Sequence, residues 1–328
     1  MFRKKLIGLA AVSMLALTLS ACDTSSTPDA GAASSSDGKK PYVAIVSKGF
    51  QHQFWQSVKA GAEQAATEYG VEVTFEGPNT EKDVAQQIEM LTTAMSKSPA
   101  ALGIAALDSQ AATPILDEAK AKNIPVIAFD SGVDSTIPVA TASTDNKAAA
   151  AEAAKHMAEL IGGKGEIAVV AHDQTSTSGK DRRDGFTEYM AANNPDIKIV
   201  TVQYGGGDQL ESANLAKTII NGNPNLKGIY GTNEGSAIGV VKAVEELGLK
   251  GKLTVVGFDS GKAQMDAIRS GLMAGAVTQN PVGIGYETVK AAAAAIKGET
   301  VEKVIDTGFY WYDAKNIDDA KIKANLYE

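Results

Sequence analysis

From residue 41 onward the chain alternates two kinds of hydrophobic pattern. Short apolar runs at 42–46, 71–75, 101–104 and 125–129 read as strands. Between them lie amphipathic stretches, such as the one carrying Val84, Ile88, Leu91 and Met95, spaced four, three and four residues apart. That interval lines one face of a helix. The strands are apolar at nearly every position rather than at alternate ones. Both faces must therefore be covered, which points to a parallel sheet with helices on each side. The second half repeats the scheme, with strands near 167–171, 197–203, 228–231 and 253–258 and helices between.

Two local signatures recur in order. Pro99-Ala100-Ala101-Leu102-Gly103-Ile104 is matched by Pro224-Asn225-Leu226-Lys227-Gly228-Ile229, and Phe129-Asp130-Ser131-Gly132 by Phe258-Asp259-Ser260-Gly261. The offsets, 125 and 129 residues, differ by only a few insertions. The pattern predicts an α/β protein of two doubly wound parallel-sheet lobes that share one architecture. Ligands of open α/β sheets bind beyond the carboxyl ends of the strands, so two facing lobes bring Asp130 and Asp259 to one cleft. An apolar stretch at 273–280, followed by Pro281 and an Ala-rich helix, reads as a late strand that carries the chain back across the cleft. Crossovers are expected near 143, 259 and 280. The first lobe is then 41–143 plus 259–280, and the second is 144–258 plus 281–310. Residues 311–328 form a C-terminal extension.

Composition narrows the function. A chain of 328 residues with 44% hydrophobic and 21% charged residues has an ordinary globular make-up. With 39 acidic against 31 basic side chains it lacks the basic excess of an electrostatic nucleic-acid binder. A single cysteine permits neither an internal disulfide nor a cysteine-cluster metal site. Its position is informative. Arg3, Lys4 and Lys5 precede an apolar run at 6–19, and small Ser20 and Ala21 precede Cys22, the tripartite layout of an export signal. Leu19-Ser20-Ala21-Cys22 resembles the bacterial lipobox, whose cysteine becomes the acylated first residue of the mature chain, carrying fatty acids such as palmitate. Plain secretion with an incidental cysteine is the alternative. Residues 22–40, mostly Ser, Thr, Ala, Gly, Pro and Asp, read as a flexible tether. Loss of residues 1–21 removes three basic residues and no acid, leaving 28 basic against 39 acidic side chains, a formal −11. The expected location is extracytoplasmic, lipid-anchored to the bacterial cell membrane.

Motifs of catalysis are missing: no GxSxG elbow, no GxxxxGK[ST] phosphate loop and no HExxH helix. The reading is a non-enzyme without cofactor or metal, a sugar-processing enzyme being the weaker alternative. Of three histidines none are spaced as a metal pair. His156 falls within a helical pattern as surface or core filler, and His172 follows a strand where it could face the cleft. Gly205-Gly206-Gly207-Asp208 reads as a tight strand-to-helix turn. The segment 49–56, just past the first strand, gathers Phe50, Phe54 and Trp55 with glutamine amides and His52. Phe54 and Trp55 either anchor the first helix or face a ligand. An aromatic face beside amide donors suits a sugar, whose C–H face covers apolar area while its hydroxyls bond polar groups. Asp130 and Asp259 can each accept two hydroxyl hydrogen bonds or cap the turn that follows. Arg182 and Arg183 lie in a charge run that is either a solvated face or a source of a guanidinium for two ligand oxygens. Asn233 is placed to cap a helix starting near Gly235.

These residues together resemble the periplasmic-binding-protein fold, and within it the ribose-type solute-binding proteins of sugar importers. The doubled strand-end aspartates, the aromatic pair after strand one, Gly257-Phe258-Asp259 and Thr278-Gln279-Asn280-Pro281 carry the resemblance, over about 41–300. It implies two lobes joined by three hinge segments, closing over one monosaccharide or polyol and presenting the closed form to an ABC permease, the protein itself acting as a monomer. It also implies a site of His52, Phe54, Trp55, Asp130, Arg182, Asn233, Asp259 and Gln279, with Arg182 placed by the run Arg182-x-x-Gly185-Phe186. Gln51-His52-Gln53 stands where ribose binders have Asn-Asn-Pro, Ser131 where an arginine often follows the aspartate, and Gly205–Gly207 in place of a second-lobe aromatic. These departures imply a ligand other than ribose. Ser47-Lys48 and Phe75-Glu76-Gly77-Pro78 also resemble the binding protein for autoinducer-2, which adds Lys48 to the site and a signal-receptor role as the alternative. Thr232 and Glu234 depart from that pattern. A repressor with the same core would need an amino-terminal DNA-binding domain, which export excludes.

Overall fold

The computed structural model describes residues 39–327. The expected signal, Cys22 and all but the end of the tether fall outside them. The first sheet takes β1 (Tyr42–Val46), β2 (Glu72–Glu76), β3 (Ala101–Ile104), β4 (Val126–Phe129) and β5 (Ala140–Ser143). They alternate with α1 (Gln53–Tyr69), α2 (Val84–Ser96) and α3 (Thr113–Ala121). The chain continues through α4 (Asn146–Leu160) into β6 (Gly165–Ala171), β7 (Ile197–Tyr204), β8 (Leu226–Gly231), β9 (Thr254–Phe258) and β10 (Gly275–Gln279). Here the intervening helices are α5 (Thr177–Asn193), α6 (Gln209–Gly222), α7 (Glu234–Glu246) and α8 (Lys262–Ser270). Then come α9 (Pro281–Ile296), β11 (Val304–Asp306), β12 (Phe309–Asp313) and α10 (Ala320–Lys323).

The strand orders are β11-β5-β4-β3-β1-β2 and β12-β10-β9-β8-β6-β7. Without the edge strands β11 and β12, both read 2-1-3-4-5, so the two lobes are one doubly wound topology built twice. All ladders are parallel except β10 with β12. Every residue of β3, β4 and β10 is buried, as expected for strands covered on both faces.

The lobe boundaries differ from those read off the sequence. Residues 259–280 belong to the second lobe: β10 pairs in register with β9 (Gly275 with Val256, Val277 with Phe258) and supplies the fifth strand that the repeat requires. The helix at 281–296 belongs to the first lobe. Gly61 of α1 meets the Val282 carbonyl and Gly285 of α9 meets the Val58 carbonyl, with no room for a Cβ at either place. Ile284, Val289 and Ala291–Ala293 share a buried core with Val43, Ile45 and Val58. The crossovers therefore lie at 144–145, at Asn280 and at 307–308, not at 259. Residues 311–328 are not a mere extension, since Tyr312 lies in the second lobe's core and Tyr327 packs on Phe54 in the first.

Gly285→Val is expected to force α1 and α9 apart against backbone atoms. The cost should be about 2 kcal/mol or more, visible as a lowered denaturation midpoint, whereas Gly298→Val, with open space around the glycine, tests only the effect of a left-handed turn.

Candidate functional site

The repeated topology aims the carboxyl ends of both sheets at each other, and segments at those ends from both lobes line one cleft. Lys48 and His52 follow β1, with Phe54 and Trp55 in the first turn of α1. Asp130 follows β4 and His172 follows β6. Ser178 and Arg182 come from α5, Asn233 precedes α7, Asp259 follows β9 and Gln279 ends β10. All nine residues expected in the site thus line a single cavity.

Asp130 and Asp259 share more than sequence. Both adopt the left-handed backbone region, with φ of 52° and 78°, which costs energy for any residue with a Cβ but least for Asp and Asn. Each backbone N–H donates to the strand beside it, Asp130 to Ala142 at 3.0 Å and Asp259 to Val277 at 2.7 Å. The same local bend is therefore held by the same bond in both lobes.

Between them lies Arg182, of which 3% is exposed. Its Nε donates to Asn146 Oδ1 at 2.7 Å and its Nη1 to the Thr232 carbonyl at 3.2 Å, while its guanidinium lies 3.9 Å over the Phe258 ring. Nη2 is 3.9 Å from Asp130 and Nη1 is 3.7 Å from Asp259. Arg183, by contrast, pairs with Asp184 and Tyr204 away from the cavity.

Asp259 is largely engaged, accepting from Gln279 Nε2 at 2.7 Å and from the Glu234 N–H at 2.8 Å. The Asp130 carboxylate accepts no hydrogen bond from any described residue. Burial pushes its pKa up to about 6, against the pull of Lys48 and Arg182. Gln279 Oε1 and His52 Nδ1 are also buried without partners. Gln51 Oε1 accepts from Glu81 N–H at 3.1 Å, and Gln51 Nε2 stands 3.1 Å from His52 Nε2. Nδ1 carries a hydrogen both when Nε2 accepts from that amide and when the ring is charged, so it is an unused donor.

Lys48 and His172 form the opposite wall. Lys48 Nζ reaches Ser176 at 3.2 Å, with Asp173 and Ser178 at 3.4 Å, all on the other lobe. Burial opposes its charge, yet Asp173, Glu81 and Asp130 hold the ammonium above the ordinary lysine value. His172 is pushed down to about 3 by burial. It is neutral, with Nδ1 2.7 Å from Thr232 Oγ1.

Glu81, beyond the carboxyl end of β2, was not expected in the site. It accepts from Trp55 Nε1 at 2.7 Å. Burial disfavours its charge, but His52, Lys48 and that indole bond hold it below the usual carboxylate range. Its position past a strand end was the only available signal. Asn233 does cap α7, accepting from Ser236 N–H at 2.9 Å, and the helix starts at Glu234, one residue before the Gly235 expected. Gly206 and Gly207, with φ of 61° and 66°, make the turn before α6. Among the described residues no group of acidic, His or Cys side chains could hold a metal ion.

Two lobes of the same parallel topology, closed on a polar, partly unsatisfied cavity, define a class of hinged small-molecule binders. The chain belongs to the periplasmic binding protein family: the family's domain matches residues 43–300. It is 30% identical over 266 residues to the D-allose-binding periplasmic protein of Escherichia coli, covering 79% of this chain and 85% of that one. It is 26% identical to the xylitol-binding protein of Mycolicibacterium smegmatis, over 91% of this chain and 82% of that one. Among solved structures, a carbohydrate transporter solute-binding protein from Agrobacterium radiobacter in complex with D-arabinose superposes with a TM-score of 0.85. It shares 34% identity, covering 88% of this chain and 99% of that one.

Removing the shared cation should expose the cost of the two carboxylates. Arg182→Met is expected to destabilise the protein by about 3 kcal/mol in denaturant unfolding, and Asp130→Asn in that background should recover part of the loss.

Proposed function

We propose that this chain is an extracytoplasmic solute-binding protein that captures a neutral monosaccharide or polyol and delivers it to an ABC permease, without chemical turnover. The observation that carries this reading is the set of polar atoms left over in the cleft: Gln279 Oε1 and His52 Nδ1, buried without partners, and the Asp130 carboxylate, held only by an ion pair with Arg182 at 3.9 Å. Acceptors and a donor beside Trp55 and Phe54 match hydroxyls arrayed round a small apolar ring.

Charge selects neutrality. Lys48 is already matched by Asp173, and Arg182 lies between Asp130 and Asp259. A carboxylate or phosphate on the ligand would meet Glu81, Asp130 and Asp259 with no uncommitted cation. Hydroxyls avoid that repulsion. Relatives named for D-allose and xylitol support the same class. Lipidation at Cys22 would hold the binder beside its permease, one copy per ligand. No helix among the described residues is long and apolar enough to cross a membrane.

Thermal unfolding of the chain against D-allose, D-ribose, D-arabinose, D-fucose, xylitol, galacturonate and autoinducer-2 tests the reading. A neutral sugar or polyol at 100 times its dissociation constant should add about 2.7 kcal/mol of stability, and galacturonate should add nothing. A response confined to galacturonate or autoinducer-2 would overturn it. Asp130→Asn, which tolerates the left-handed backbone, should weaken binding about tenfold or more, and the bound ligand should be recovered with its mass unchanged.

A further inference from the structure

Most of the longer helices here begin with their own side-chain cap, as Asp83, Asp145, Ser176, Asp208, Asn233 and Asn280 show. Helix α3, entered through Ala112, has no side-chain cap, and neither do α1 and α8. His52 and Gly261 occupy their N-cap positions and make no side-chain bond to them. The exposed N–H groups of a helix start need an acceptor whenever they are taken from water. In both cases the acceptor comes from the opposite lobe. Glu234, at the start of α7 in the second lobe, sets its two carboxyl oxygens 3.3 Å from Gln53 N and 3.3 Å from Phe54 N, at the start of α1 in the first. In return Gln53 Oε1 accepts from Lys262 N, the first residue of α8, at 2.8 Å.

The arrangement is fitted closely. Glu234 is 4% exposed, and its own N–H is held by Asp259 Oδ2 at 2.8 Å. A Cβ at Gly261 would stand 2.8 Å from Glu234 Oε1 and 3.1 Å from Gln53 Oε1, so glycine there is what lets both caps pass. The ligand cavity is lined without Glu234, Gln53 or Gly261. The bonds of Glu234 to Gln53 N and Phe54 N, and of Gln53 to Lys262 N, cannot survive separation of the lobes, where water would satisfy the same N–H groups.

We propose that Glu234 and Gln53 form a reciprocal latch, each capping a helix of the opposite lobe, and so set ligand affinity by favouring the closed form without touching the ligand. The inference rests on the two-lobe binding role proposed above, with Glu234 as a positioning residue. It also carries a signature in pH. Burial pushes the Glu234 carboxyl up to about 7 in the closed form, with His52 of the α1 start pulling down and Asp259 at the end of β9 pushing up. Buried Tyr312 of β12 and Tyr327 of the C-terminal segment lie close enough to feel the charge of the same carboxyl. In water the carboxyl has a pKa of about 4.5. Closure therefore takes up a proton between those values. Glu234 favours closure at low pH, and that contribution is lost as pH rises through about 7.

The test uses the full chain with D-allose as probe, measured calorimetrically at pH 5.5 and 8.0 alongside small-angle scattering. Glu234→Ala and Gln53→Ala should each weaken binding by about tenfold through buried unsatisfied N–H groups, with the unfolding midpoint of the ligand-free protein unchanged. Glu234→Gln keeps an acceptor, so it should bind within a few-fold of wild type at pH 5.5. It should also lose the Glu234 part of the weakening between pH 5.5 and 8.0, about thirtyfold. Wild-type affinity in both alanine variants, or an equal pH slope in Glu234→Gln, would overturn the latch. If the wild type itself fails to bind D-allose, the failure lies with the choice of sugar or the binding role. Ligand-free scattering then decides the latch alone: a wild type more compact than Glu234→Ala supports it, and equal compactness refutes it.

Discussion

A guanidinium buried at the meeting of two lobes is the constraint on which the rest of this structure turns. Arg182 cannot leave water without compensation, and its compensation comes from both sides of the cleft: Asp130 from the first lobe, Asp259 and the Thr232 carbonyl from the second. The carboxylates reach it because the chain bends into the left-handed region at the end of β4 and again at the end of β9. One bend, made twice by a duplicated architecture, therefore brings opposite charges to a single point. The hinge crossings at 144–145, 280 and 307–308 serve that geometry by letting each lobe keep its own sheet.

The same arrangement explains the chemistry left over. Both cations of the cleft, Lys48 and Arg182, already have acidic partners, while Gln279 Oε1 and His52 Nδ1 are buried without partners. A neutral ligand rich in hydroxyls completes these groups without adding charge. Affinity then depends on contacts that exist only when the lobes meet, both through the ligand and through helix starts capped from across the cleft.

Much of this was legible in the chain. Near-continuous apolar strands announced parallel sheets, and the repeated Phe-Asp-Ser-Gly signature located both strand-end aspartates, because a bend of that kind needs a local residue type. The nine candidate residues meet in one cavity since they lie at or just past the carboxyl ends of strands, or in the opening turns of the helices that follow. What was not legible is non-local. Periodicity shows that α9 has an apolar face but not which sheet it covers; that is decided by Gly61 and Gly285 meeting backbone on opposite helices. The three-residue β11 and the aromatic β12 carry too little pattern to announce themselves, so the third crossover went unseen. Glu81 lies in a loop with no periodic signal. Glu234 could be read as part of a helix start, but not as the cap of a helix 181 residues away in the chain.

The central claim is that one neutral polyhydroxy ligand is held between the lobes by groups from both. A crystal structure of the chain grown with D-allose, or with whichever neutral sugar or polyol stabilises it, tests this directly. The account predicts one molecule in the cleft, its hydroxyls at hydrogen-bond distance from Asp130 of one lobe and Gln279 of the other, with Arg182 between. A ligand bound to one lobe alone, or outside the cleft with Asp130 still unpartnered, would contradict it.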